Sequence, residues 1–131
     1  MRELIDKQNV HYGFVLGLSQ IEEGVHFLTS VDKELQCATM VHPRNHEIKR
    51  HFHPKQNRKL TRTTECLLLM SGILEVKIYN DSQEEIAFSE VEGPALIILF
   101  EGGHGFVAKT DISMIEIKQG PFTPELDKVH F

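Results

Sequence analysis

The sequence predicts an all-β fold, a sandwich or barrel of short strands. Three observations lead there. No stretch of ten or more residues carries a 3.6-residue apolar stripe, apart from the few residues before Asn9. Short β-branched and aromatic runs recur along the chain instead. Between these runs stand clusters of turn formers, which is where a chain of short strands must reverse.

In chain order, strands are expected at 12–18, 25–29, 35–42, 48–53, 64–70, 73–79, 85–91, 95–100, 105–109 and 112–118. The breaks are Ser71-Gly72, Asn80-Asp81-Ser82, Glu92-Gly93-Pro94, Gly102-Gly103 and Thr110-Asp111, which read as hairpin turns. The run ALIILF at 95–100 is apolar throughout and reads as a core strand. Phe52, Phe88, Phe100 and Phe106 are expected to pack rather than to stack on bases. The segment 119–131 holds Pro121 and Pro124 and is expected to lie as an irregular cover over the fold.

A chain of 131 residues can bury one core, and no linker, repeat or composition break divides it, so a single domain over 1–131 is expected. The net charge of −5 argues against nucleic-acid binding, which needs a basic surface. The longest apolar stretch, at 94–100, is too short to span a bilayer, and MRELIDKQNV has no signal-peptide core. A cytoplasmic protein with no membrane partner is therefore expected. Cys37 and Cys66 belong to no C-x-x-C pair and read as free thiols.

Histidine is the unusual feature. His51 and His53 stand at i, i+2, and on a strand both imidazoles project from one face. Glu65 shares a strand face with Leu67 and Leu69, and Gly72 follows it by seven positions. His104 follows Gly93 by eleven and opens a later strand. An H-x-H pair alone is more often two polar strand residues than a metal site. Joined to the other two spacings in a β-rich chain, it points to a metal centre.

These residues resemble the two motifs of the cupin superfamily: His51, His53, Glu65 and Gly72 fit the first, and Gly93 and His104 fit the second. The chain departs from the pattern in three places: eleven residues separate His53 from Glu65, Leu99 takes a proline position and Glu101 a glycine position. The segments TTECLLLMSGILEVKIYND, GGHGF and IEIKQGPF, with the later DK, are similar to a small cupin subfamily associated with surface-polysaccharide genes. The resemblance implies a cupin double-stranded β-helix, a jelly-roll-like barrel. It also implies one divalent metal, of Zn, Fe, Mn, Ni or Co type, held by His51, His53, Glu65 and His104, and a homodimer.

Lys49, Arg50, Lys55, Arg58, Lys59 and Arg62 stand in one window with no acid among them. Guanidinium forks suit phosphate and carboxylate, so Arg50, Arg58 and Arg62 are candidates to receive a small phosphorylated or carboxylated ligand. The competing reading is a solvated loop. His42 and His46 suit supporting hydrogen bonds better than ligation, because Pro43 breaks a helix between them. His11, His26 and His130 have no partner pattern and read as surface or interface residues.

Three functions fit. The first is a metal-binding cupin acting on a small anionic or sugar-derived molecule, whether by isomerisation, hydrolysis or oxygen insertion. The second is a metal-free sugar-nucleotide isomerase or epimerase with His51 or His53 as acid and base. The third is a module that binds a metal or sugar without turnover.

Overall fold

The computed structural model describes residues 1–125 and 127–131. The described residues form ten strands in three sheets, none closed into a barrel, with one 3-10 turn at Leu18–Gln20 and no α-helix. None of them lies in a helix long and apolar enough to cross a membrane. The strands are β1 (Arg2–Ile5), β2 (His11–Gly17), β3 (Gly24–Phe27), β4 (Ala38–Val41), β5 (Glu65–Ser71), β6 (Ile73–Tyr79), β7 (Glu85–Glu92), β8 (Ala95–Leu99), β9 (Gly103–Ala108) and β10 (Ser113–Lys118). The chain divides into two compact units, residues 1–20 with 62–131, and residues 21–61.

The larger unit holds an antiparallel five-stranded sheet, β1-β2-β8-β5-β10, and an antiparallel three-stranded sheet, β7-β6-β9. Strand alternation makes both sheets amphipathic. Leu67, Leu69, Ala95, Ile97 and Leu99 from the first sheet meet Leu74, Val76, Ile78 and Val91 from the second in one buried cluster. Two sheets thus share a core, as in a sandwich. Arg2 ties the edges of the two sheets together: its guanidinium donates to the hydroxyl of Ser89 on β7 and to the Glu90 carbonyl at 3.1 Å. The expected apolar core run is confirmed, with Ala95, Ile97, Ile98, Leu99 and Phe100 all buried.

In the larger unit three expectations are corrected. The first concerns the N-terminal residues, which gave the only trace of a helical stripe: they form β1, with Leu4 turned into the core opposite Gly13. The second concerns the turns, of which only Asn80-Asp81-Ser82 closes a hairpin, joining β6 to β7. The other four carry the chain from one sheet to the other, since β5, β8 and β10 lie in the first sheet and β6, β7 and β9 in the second. Turn residues announce a reversal but not the partner. The corners are crowded: Gly72 has φ of 89°, and a Cβ there would run into the Asp111 carbonyl oxygen. Its own carbonyl accepts the Gly93 N–H at 2.9 Å, so two corners are hydrogen-bonded to each other. The third concerns Phe88, expected to pack but 55 % exposed on β7.

The smaller unit pairs β3 with β4, from Gly24 opposite Val41 to Phe27 opposite Ala38. Thr29 is buried beside this ribbon and accepts the Cys37 N–H at 2.9 Å. Gln36 spans the loop by donating to the Ser30 and Lys33 carbonyls, each at 2.9 Å. The strand expected at 48–53 does not form; that stretch is irregular and exposed, and Phe52 is 86 % exposed instead of packed. Its alternation of His with Ile and Phe satisfies a period of two, yet no neighbouring strand pairs with it, and an unpaired strand has nothing to hold it extended.

Candidate functional site

Glu65 opens β5 with the parity of Leu67 and Leu69, so its carboxylate points to the core side of the five-stranded sheet, as its sequence spacing predicts. Across that sheet it stands in register with Leu99 on β8 and Lys118 on β10. In the facing sheet His104 lies opposite Ile78, and two places on Phe106 lies opposite Val76, so the imidazole also faces the core side. Two strand ends, one from each sheet, deliver a carboxylate and an imidazole to the same point.

There His104 Nε2 donates to Glu65 Oε2 at 2.9 Å. Glu65 is 6 % exposed, whereas the His104 side chain is 26 % exposed. The hydrogen bond from His104 lowers the Glu65 pKa below the ordinary glutamate value; burial opposes this, and the His104, Lys128 and Lys118 charges assist it.

The pair lines a cavity of about 410 Å³, whose wall includes Arg62, Phe100, Lys128 and Phe131. This volume suits a small organic ligand. Arg62 also lines a neighbouring cavity of about 330 Å³ with Tyr12 and Asp81. Its guanidinium is held between two carboxylates, Asp81 at 3.1 Å and Glu101 at 2.9 Å. The Tyr12 hydroxyl donates to Asp6 at 3.2 Å, and burial, reinforced by Asp6, raises its pKa.

The residues singled out from the sequence separate by unit. Within the larger unit, Glu65 and His104 are brought together and Arg62 stands on the same cavity wall. Within the smaller unit, His51 and His53 are neighbours, with ring centroids 5.3 Å apart at 83°, and His51 Nδ1 donates to the Lys49 carbonyl at 2.9 Å. Without a strand under them, the same-face argument for this pair lapses. Arg50 and Arg58 are exposed, and His42 stacks on His46 at 4.1 Å. Among the described residues no group of three or more His, Cys, Asp or Glu side chains is gathered so as to hold a metal ion.

No family model, curated protein or solved structure matches the chain. The site is therefore read from its own geometry. The donor chemistry of Glu65 and His104, one carboxylate oxygen and one imidazole nitrogen, fits a divalent metal as two of the ligands such an ion needs.

The wall of the cavity also holds residues that the sequence did not single out. Residues 127–131 all line it, so the segment expected as a loose cover forms one side of the site. His130, read as a surface or interface residue, is exposed and belongs to that side. Lys118 on β10 forms a salt bridge with Asp127, which pins the segment to the sheet. The Phe131 ring stands edge-on to Tyr79, with centroids 5.3 Å apart, and comes within 3.0 Å of where a Gly103 Cβ would be. The one sequence signal for this wall was the D-K pair after the paired prolines, which no periodicity connects to a site.

Proposed function

We propose that the chain is a small cupin-type protein that binds a divalent metal through Glu65 and His104 and holds a small ligand in the adjoining cavity. The observation that carries this is the buried Glu65–His104 contact of 2.9 Å, made by two strand ends of facing sheets and open to a cavity of ligand size. The two facing sheets and the corners that switch between them favour the jelly-roll-like arrangement that the motif resemblance implies. Of the four ligands that the motif resemblance implies, the proposal rests on Glu65 and His104 alone. A metal held this way with an open position would polarise a bound oxygen or activate water.

Metal analysis of protein purified without added metal or chelating resin tests the reading. The wild type is expected to carry close to one divalent ion per chain, and Glu65→Ala and His104→Ala to lose most of it. Wild-type protein that contains no metal and takes up neither zinc nor manganese would end the proposal.

One observation favours a second reading. A carboxylate that accepts from Nε2 fixes the imidazole tautomer and orients the ring, which is how a histidine is positioned for acid-base work without a metal. In that case a metal-free protein would lose activity on His104→Gln.

A further inference from the structure

We infer that Lys128 is the group by which the cavity recognises its ligand, and that the ligand is a small anion with an apolar body. This rests on the cavity being the ligand site but not on the metal. Two basic side chains of the Lys and Arg type line the cavity, Arg62 and Lys128. Arg62 is already held by Asp81 and Glu101, so its forks are engaged by protein carboxylates. Lys118, nearby on β10, is engaged by Asp127. Among the described residues Lys128 makes no hydrogen bond or salt bridge, and its ammonium is near enough to Glu65 to act on that carboxyl.

The position of Lys128 is set from both sides. Next to it Asp127 is latched to Lys118, and three residues on Phe131 is seated over Gly103 and against Tyr79. A side chain between two anchors is held at the wall more firmly than one on a free end, which reduces the entropy lost when it meets an anion. The rest of the lining includes the rings of Phe100, Phe106 and Phe131 beside the carboxylates of Glu65, Glu101 and Asp127, of which Glu101 is engaged by Arg62, Asp127 by Lys118 and Glu65 by His104. A carboxylate or phosphate would meet the ammonium, and an apolar body would lie against the rings. The anion is thus assigned to Lys128, an exposed side chain on the cavity wall.

The test is calorimetric titration of chelator-treated protein with benzoate, phenyl phosphate, acetate and inorganic phosphate. Benzoate or phenyl phosphate is expected to bind, with the other of the two showing which headgroup is preferred, and each to bind more tightly than acetate or inorganic phosphate. Lys128→Met should weaken that binding roughly tenfold or more, as loss of a charge-assisted contact does. Phe131→Ala should weaken the aromatic anions while leaving acetate unchanged, and Arg58→Met should change nothing. Lys128→Met protein that binds like the wild type, or wild type that binds none of the four, overturns the inference. Because the protein is metal-free, Lys128-dependent binding would stand even if metal analysis failed, and metal in the purified protein would not rescue a Lys128→Met result equal to wild type.

Discussion

Removing one member of the Glu65–His104 pair should cost more stability than replacing the other by a hydrocarbon. In His104→Ala the carboxylate, 6 % exposed in the wild type, loses the donor that lowered its pKa. Leaving a buried charge without its partner costs about 3–5 kcal/mol when water is excluded. His104 is 26 % exposed, so water can enter where the ring was, and about 2–3 kcal/mol is the expected loss at pH 7. In Glu65→Leu the charge is gone, the new side chain continues the Leu67 and Leu69 face, and His104 can turn to solvent. That change is expected to fall within about 1 kcal/mol of the wild type, because lost pairing and relieved desolvation oppose each other. Urea unfolding of chelator-treated protein measures both. The sign with pH follows from the shift: a glutamate whose folded pKa is depressed contributes stability that is present above its unfolded value near 4.5 and is lost as pH falls through the lower folded value. His104→Ala removes the hydrogen bond that is the main cause of the depression, so its acid limb should begin at higher pH than that of the wild type. Equal losses in the two variants, or an acid limb that does not move, would refute the reasoning.

Gly72→Ala places a side chain at φ of 89° and against the Asp111 carbonyl, and is expected to lower stability by about 2–4 kcal/mol in the same urea assay, whereas a change within 0.5 kcal/mol would show that the corner has room. Burial raises the Cys37 thiol pKa, so iodoacetamide at pH 7.5 should label it more slowly in folded protein than in urea, and equal rates would contradict its burial.

The legible parts of this fold were those fixed by strand alternation. The run at 73–79 was bounded to the residue because Leu74, Val76 and Ile78 repeat every second position, and the inward place of Glu65 followed from its parity with Leu67 and Leu69. The same rule misled at 48–53, where alternation was present but no partner strand was. It was silent at β1, where only Leu4 is buried in a four-residue strand. Of the site, Glu65 and His104 could be found by spacing, because each sits at a fixed distance from a corner glycine. Lys128 and Phe131 could not, since their place depends on a latch between Lys118 and Asp127 that leaves no periodic trace.

The order β1-β2-β8-β5-β10 has a consequence for how the chain is made. Beyond β1, β2 finds its second ladder on β8, and the Arg2–Ser89 contact joins positions 87 apart. Until β8 leaves the ribosome, β1 and β2 have only each other, and a lone two-stranded ribbon is marginal in water. Folding of the larger unit must therefore wait for late synthesis, and ladders between strands far apart in sequence, such as β2 with β8, favour slow folding. During that interval the apolar edge of β2, Phe14 through Leu16, is exposed to other nascent chains, so yield at high expression should be limited by this edge rather than by the stability of the finished protein.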